Sequence, residues 1–174
     1  MRAVQALAAV LVVGSTLYSH ASVTNVTAGG PLYTTITQAV AAAGASARLL
    51  VSTGLYQEAV IISNKTMLIE GGYSASFAGR TNNRALTVVA PGGSERGFTL
   101  RGGAVVTLDG LSVTGGAVFG AGGGIGLEPG CVLTTLTCAV SDNAALAAGG
   151  IFVDTNSIAV LSNTHLLNNI GLLG

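Results

Sequence analysis

Carboxylates are the side chains in this sequence whose chemistry is most readily put to catalytic or metal-binding use, and most of them stand alone. Calcium prefers six to eight oxygen ligands, several of them from carboxylates. Only Glu128 and Asp154, one repeat apart, could stack as a two-carboxylate site in a repeating fold, and an acidic column on a solvated turn explains them better. We therefore predict no catalytic residue and no metal ligand. The seven acidic residues are Glu58, Glu70, Glu95, Asp109, Glu128, Asp142 and Asp154.

The remaining reactive residues are equally isolated. Cys131 and Cys138 are seven positions apart, so they would face opposite sides of a straight strand, and a disulfide would need a turn between them. Two small buried hydrophobic side chains are the favoured interpretation. His165 has no partner nearby in sequence, which favours a structural role. The glycine-rich stretch 120–126 lacks the Lys-Ser/Thr of a phosphate loop, and a turn is expected there.

Composition excludes several classes of protein. Charged residues make up 8% of the chain, against about 25% in an average domain. The seven basic residues are scattered and balanced by seven acidic ones, which argues against a nucleic-acid partner. An apolar content of 49% excludes a disordered chain, and the 26 glycines follow no collagen period. Repeated short strands joined by tight turns fit this composition.

The amino terminus predicts export. A positive start at Met1-Arg2 precedes an uncharged, mostly apolar run over 3–17, and Ser19-His20-Ala21 places small residues where a signal peptidase cuts. The apolar run is shorter than the roughly 20 residues that a membrane anchor needs. We therefore expect a signal peptide at 1–21, a lead-in and capping helix at 22–46, and strands at 47–174.

One helix is predicted in the exported part. Between Ile36 and Ala43, apolar residues fall at i, i+3, i+4 and i+7, which is one helix face. Thr35 is the expected amino-terminal cap, with Gln38 completing a capping box. Gly44 is the expected stop.

Short apolar runs replace the helical period after residue 46. They cover 48–52, 60–62, 66–70 and 86–90, with breaks expected at Gly54, Gly71-Gly72 and Pro91-Gly92-Gly93. Short strands without intervening helices exclude a doubly wound α/β fold.

A repeat follows in the second half of the chain. Segments 105–116, 132–143 and 158–169 align without gaps, at steps of 27 and then 26 positions. A repeat built from strands of this size predicts an all-β solenoid, a parallel β-helix in which equivalent residues stack. A β-sandwich is the weaker alternative, because its turns would not repeat at a constant step. The expected columns are Val113, Val140 and Leu166 inside, and Gly116, Asn143 and Asn169 at a turn, where asparagines can form an amide ladder.

Two stretches resemble a known superfamily. The sequence Thr35-Ile36-Thr37-Gln38-Ala39-Val40, followed by 49–58 with its Gly-x-Tyr-x-Glu, resembles the opening of pectate-lyase-like right-handed parallel β-helix proteins. The Gly-Gly-Tyr…Phe…Arg stretch at 71–80 resembles bacterial surface and secreted members. The Gly-Gly-Ile and Asn-ended units resemble polymorphic outer-membrane-protein repeats. The resemblance implies a β-helix with a short amino-terminal capping helix, and it covers about residues 33–169.

The sequence leaves three interpretations of function open. We expect a secreted or cell-surface β-helix with a structural, adhesive or glycan-contacting role, no cofactor and no nucleic-acid partner. The alternative is the amino-terminal part of a pectate-lyase-like enzyme that degrades polysaccharides, with its active site on later repeats. A nonfunctional gene fragment is a third interpretation. The last repeat stops part-way without a polar cap, so we expect a fragment, attached to membranes only through sequence beyond residue 174.

Overall fold

The computed structural model describes residues 22–26 and 33–173, with only the backbone of 22–26. The predicted signal peptide and residues 27–32 of the lead-in lie outside this part. No helix in the described ranges is long and apolar enough to cross a membrane. The elements are β1 (Ser22–Val26), α1 (Ile36–Ala42), β2 (Ser46–Ser52), β3 (Gly54–Tyr56), β4 (Val60–Ser63), β5 (Thr66–Tyr73), a 3₁₀ turn (Arg84–Leu86), β6 (Thr87–Val89), β7 (Phe98–Arg101), β8 (Val105–Asp109), β9 (Ser112–Thr114), β10 (Ala117–Ala121), β11 (Ile125–Leu127), β12 (Val132–Leu136), β13 (Ala139–Ser141), β14 (Ala144–Ala147), β15 (Ile151–Val153), β16 (Ile158–Ser162), β17 (His165–Leu167) and β18 (Ile170–Gly171).

The strands form four sheets in which all neighbouring strands are parallel. Sheet A has the order β1-β2-β5-β8-β12-β16, sheet B β3-β6-β9-β13-β17, sheet C β4-β7-β11-β15 and sheet D β10-β14-β18. From β2 onward the chain visits sheets A, B and C in turn, and from β10 it adds sheet D between B and C. In the described residues the fold is therefore all-β, with stacked parallel sheets and one short α-helix, in agreement with the predicted strands and capping helix.

Equivalent positions of the sequence repeat pair with one another in the sheets. In sheet A, Val105 pairs with Val132 and Val132 with Ile158, so the first residues of the three aligned segments are neighbours. Sheet B keeps the same register, because Val113 pairs with Val140 and Val140 with Leu166. The predicted register of this column is confirmed, but its predicted interior position holds only for Val113 and Val140. Its first two members are fully buried, whereas Leu166 in the last strand is 51% exposed.

The core consists of such columns, because alternate residues of a strand point to opposite faces. In sheet B, the buried column continues backward from Val113 to Val89 and Tyr56. Sheets A and C supply equivalent columns of mostly apolar buried side chains. Their members are Ala47, Met67, Val106 and Leu133; Leu49, Ile69, Leu108 and Thr135; Val60, Phe98 and Ile125; and Ile62, Leu100 and Leu127.

An amide ladder fills the corner between sheets B and D, as predicted. The Asn143 side chain is fully buried, and its Oδ1 accepts a hydrogen bond from Gly116 N at 2.8 Å. Its Nδ2 donates to Val113 O at 3.2 Å and to Asn169 Oδ1 at 2.9 Å. The ladder begins with glycine because a Cβ at Gly116 would overlap the carbonyl oxygen of Gly123. These bonds satisfy backbone groups that the turn would otherwise bury unpaired.

Helix α1 lies against β1 and β4 and is held at both ends by charged side chains from neighbouring segments. Two Glu58 carboxylate oxygens accept hydrogen bonds from Ile36 N at 2.7 Å and Thr37 N at 2.8 Å. At the other end, Lys65 Nζ donates to the carbonyl oxygens of Val40 and Ala43. A carboxylate at a helix amino terminus and a cation at its carboxyl terminus are both stabilising. The predicted helix is confirmed, but neither charged partner was predicted.

Three local predictions need correction. Thr35 caps the helix, but Gln38 Oε1 accepts from Thr34 N and Thr34 Oγ1, so half of the predicted capping box is wrong. Strand β5 does not end at Gly71-Gly72 but runs to Tyr73, because these glycines form a bulge opposite Val51. A Cβ at Gly71 would lie 2.6 Å from Gly110 O, which explains the requirement for glycine. The break predicted at Gly54 lies one residue earlier, at Thr53, since β2 ends at Ser52 and Gly54 is the first residue of β3.

Candidate functional site

A cluster of four charged side chains stands on the outer face of sheet A. The side chain of Glu70 is only 9% exposed and receives hydrogen bonds from Arg48 Nε and, at 3.3 Å, from Arg80 Nη1. Arg80 also pairs with Asp109 at 2.9 Å, in the next strand of the sheet. Register places Glu70 and Asp109 side by side, and the arginine between them neutralises two neighbouring carboxylates.

The aromatic residues of the Gly-Gly-Tyr…Phe…Arg stretch complete this cluster. The Tyr73 and Phe77 rings lie 6.1 Å apart, and the Arg80 guanidinium lies 5.7 Å from the centre of the Tyr73 ring. Burial, reinforced by the Glu70 charge, raises the pKa of the Tyr73 hydroxyl. The hydrogen bond to Glu70 raises the pKa of Arg48. The residues that carry the sequence resemblance at 71–80 thus touch one another.

This cluster is built for structure rather than for proton transfer. Arg80 Nε also donates to Gly71 O at 3.0 Å and Nη2 to Asp109 O at 3.2 Å, so the guanidinium bonds backbone as well as carboxylates. Glu70 is occupied by two arginines. A general base must reach the proton that it removes, and a carboxylate held by two guanidinium groups is a poor acceptor for a third donor. The cluster ties the 74–86 loop to the sheet.

Two further arginines bind carbonyl oxygens along the stack. Arg84 Nη1 donates to Cys138 O at 2.8 Å and to Asn163 O at 2.9 Å. These two carbonyl groups lie just before β13 and β17, which are neighbouring strands of sheet B. Arg96 Nε and Nη2 donate to Gly122 O and Ala121 O at 2.7 and 2.6 Å. Burial lowers the pKa of Arg96, partly offset by the Glu128 charge. Neither guanidinium forms part of an open basic patch.

The acidic pair considered from sequence lies in register on neighbouring strands. Leu127 pairs with Val153, which brings Glu128 and Asp154 to equivalent positions of neighbouring strands. Glu128 is exposed, and Asp154 Oδ1 accepts from Thr155 N at 2.6 Å. Within residues 22–26 and 33–173, no three His, Cys, Asp or Glu side chains lie close enough together to hold a metal ion. The pair resembles the solvated turn column that the sequence favoured.

The other residues considered from sequence are also structural. Cys131 and Cys138 are free thiols, both buried, as the favoured interpretation predicted. Burial raises the pKa of Cys138, whose Sγ donates to carbonyl oxygens of Leu108 and Leu136. His165 is exposed in β17. Residues 120–126 contain the turn between β10 and β11, as predicted.

An apolar groove lies on sheet D in the described part of the chain. It encloses about 230 Å³ and is lined by Ala117, Val118, Ala144, Ala145 and Leu146, with Ser94, Phe119, Ile170 and Leu172 around it. The Phe119 side chain is 88% exposed, the highest value among the large apolar residues described. The Glu95 carbonyl accepts from Ala117 N at 2.8 Å and holds the neighbouring loop against the sheet.

Nothing in the sequence indicates this groove. Sheet D exists only where the repeat unit has gained a fourth strand, and single apolar residues at 118 and 119 are ordinary in strands.

Comparison with known proteins identifies no relative. No protein-family profile, no curated protein and no solved structure matches the chain.

Proposed function

We propose that the chain is an exported right-handed parallel β-helix of the pectate-lyase-like kind. It acts as a structural or adhesive scaffold that contacts glycans and performs no catalysis in the described part. The observation that carries this proposal is that the chain returns to sheets A, B and C in the same order, with all neighbouring strands parallel, and at a near-constant step from Val105 onward. A chain that returns to the same sheet at a constant step winds as a solenoid. Right-handedness rests on the general preference of parallel crossovers and on the sequence resemblance.

Export is proposed from the amino-terminal sequence alone. The uncharged run after Met1-Arg2 and the small residues before Ser22 fit a cleaved signal peptide. Amino-terminal sequencing of the protein recovered from outside the cell tests this directly. We expect the mature chain to begin at Ser22, and a retained Met1 would contradict export through a cleaved signal.

The pairing of charged side chains supports a binding rather than a catalytic role. Glu58 caps a helix, Glu70 and Asp109 share Arg80, and Asp154 bonds its own turn. Lyases of acidic polysaccharides need free carboxylates for calcium and a basic residue for proton abstraction. Among the described residues, the carboxylates of Glu70 and Asp109 are already paired with arginine, so they are not free to bind calcium.

The groove on sheet D is the proposed contact surface, and its occupant is a neutral glycan. An exposed aromatic ring offers a flat apolar platform for the C–H face of a sugar, which suits Phe119. The groove beside it can take one ring, and the Ser94 hydroxyl at its rim can bond a sugar hydroxyl. Its lining contains no charged side chain, which favours neutral sugars over uronates.

Binding to two soluble polysaccharides, one neutral β-glucan and polygalacturonate, tests the proposal. Affinity electrophoresis should show retardation by the neutral polymer, and Phe119→Ala should abolish it. Leu55→Ala is the matched control, because Leu55 is 56% exposed on sheet B, away from the groove. Retardation that survives Phe119→Ala would contradict the assigned surface. Unsaturated products released from polygalacturonate with added Ca²⁺ would favour the enzyme alternative instead.

A further inference from the structure

One loop runs along the corner between sheets A and B and contacts several levels of the stack. It is the segment 74–86, which joins β5 to β6 and ends in the 3₁₀ turn, and we call it the corner loop. A level is one step in the order of strands within a sheet, so β6, β9, β13 and β17 occupy successive levels of sheet B.

The first anchor of the corner loop is Arg80, which binds the levels nearest to it in sequence. Its Nε donates to Gly71 O in β5 at 3.0 Å, and its Nη2 donates to Asp109 O in β8 at 3.2 Å. Strands β5 and β8 are neighbours in sheet A. Arg80 therefore fastens the loop where the chain leaves sheet A, and again one level further on.

The second anchor, Arg84, reaches much further along the stack. Its backbone carbonyl accepts a hydrogen bond from Ser112 Oγ in β9 at 3.0 Å. Its Nη1 donates to Cys138 O and Asn163 O, which lie just before β13 and β17. A single residue beside β6 thus contacts each of the three levels that follow β6 in sheet B.

Contacts of this reach change how a stack of repeats opens. When each unit contacts only its neighbours, units can separate one level at a time. Arg84 instead connects β6 with strands two and three levels away. The Cys138 carbonyl that it binds also accepts a hydrogen bond from His165 N at 3.0 Å. Separation of β17 from β13 therefore disturbs an acceptor that Arg84 uses.

Chain order and burial make the corner loop a device that closes late. Cys138 and Asn163 lie 54 and 79 positions after Arg84, so the guanidinium can bind both only when β13 and β17 are stacked. No residue of the loop is buried. Among the hydrogen bonds of the described residues, only those of Arg84 carry the loop to β13 and β17.

We propose that the corner loop is a conformational latch, in which Arg84 closes over β13 and β17 and makes these strands open together with β6. With the latch closed, opening any one of the three strands breaks a contact that the others share. With the latch open, β13 and β17 are held by their sheet neighbours alone and open more often than β6. The latch acts on the stack and not on the groove of sheet D.

Hydrogen–deuterium exchange of the full chain, read by mass spectrometry of its peptides, tests the latch. Arg84→Gln should speed exchange in β13 and β17 by at least about tenfold, because hydrogen bonds from a charged donor are among the strongest. Strands β2 and β5 should exchange as in the parent, since Arg80 still holds the loop there. Arg101→Gln is the matched control, because Arg101 is exposed and its guanidinium has no hydrogen-bond acceptor within 33–173. It should change none of these rates.

The parent chain provides a second measurement that does not depend on the variant. Low concentrations of urea should speed exchange in β6, β13 and β17 in parallel, because one opening exposes all three. In Arg84→Gln, β13 and β17 should respond at lower urea than β6. Circular dichroism shows whether the variants remain folded, and folding should survive because Arg84 is not part of the core.

Three results would each overturn the latch. They are separate urea responses of β6 and β17 in the parent, equal acceleration of all strands in Arg84→Gln, and unchanged exchange in Arg84→Gln. Acceleration of β13 and β17 by Arg101→Gln to the same extent would overturn it as well, because the effect would then follow from loss of any arginine.

Discussion

Replacement of Asn143 by alanine tests the amide ladder at its most buried member. The substitution removes the acceptor that serves Gly116 N–H and the donors that serve Val113 O and Asn169 Oδ1. Asn143 is fully buried, so water cannot easily replace the lost bonds. Asn169 is half-buried, and its Oδ1 keeps the hydrogen bond from the backbone N–H of residue 143.

The magnitude follows from the backbone donor left unsatisfied. A buried donor without a partner costs about 1–3 kcal/mol. Loss of the acceptor for Gly116 N–H therefore makes Asn143→Ala about 1–3 kcal/mol less stable than the parent, since Val113 keeps its place in the β9–β13 pairing. Asn143→Asp keeps the acceptor for Gly116 but loses both donors, so it should also destabilise the protein.

Urea unfolding followed by circular dichroism measures the effect, as a lower midpoint with an unchanged slope. Asn168→Gly is the control, since Asn168 is exposed, has φ +53° and donates its side-chain bond to Asp142 in the adjacent turn. Glycine accepts that backbone conformation, so the change should stay within about 0.5 kcal/mol. If Asn143→Ala were as mild as this control, the argument that the ladder satisfies buried backbone would be refuted.

Three further perturbations follow from the same contacts. Leu108→Ala, at a fully buried column, should cost about 2–5 kcal/mol in urea unfolding, whereas Leu166→Ala at the half-exposed end should cost under about 1 kcal/mol, and equal costs would contradict the column. Glu58→Ala should lower the free energy of unfolding by about 1–3 kcal/mol, because two helix N–H groups lose their acceptor. Lys65→Met should lower it by about 1 kcal/mol. If neither variant were less stable, these side chains would not hold α1 in place. Burial raises the pKa of Cys138, so its protonated form is favoured in the folded state: stability should hold below the ordinary thiol range and fall as pH rises through it, and Cys138→Ala should remove that dependence.

Register was predictable from the sequence where the repeat is regular. The Val113–Val140–Leu166 column and the asparagine ladder both follow from one rule, that equivalent residues of parallel strands stack. Helix α1 was equally predictable, because its period and its Thr35 cap are local signals.

The first levels of the stack were not predictable, for a physical reason. In sheet A, Ser46 pairs with Thr66 and Thr66 pairs with Val105. The number of residues between paired positions is smaller than the later repeat in the first case and larger in the second. The long step arises because the chain carries a loop at 74–86 that has no counterpart later. Strands β3 and β7 were missed, since three or four residues beside glycine carry too little pattern to distinguish strand from turn.

The charged partners could not be predicted for a different reason. Arg80 meets Glu70 and Asp109, which are 10 and 29 positions away, and Arg84 reaches Asn163 across 79 positions. Such contacts depend on how the 74–86 loop lies over the sheet, and no local propensity specifies that. The groove beside Phe119 likewise lies on sheet D, whose strands β10, β14 and β18 come together only when successive repeat units stack.

Spin labels at pairs of outer positions test the central claim, that the chain returns to the same place after each repeat unit. Thr107 and Thr134 pair in sheet A, and Thr114 and Ser141 pair in sheet B, each pair one repeat unit apart. Adjacent strands lie about 4.8 Å apart, so doubly labelled chains should show strong dipolar broadening at both pairs. Broadening at one pair and none at the other, or none at either, would contradict the account.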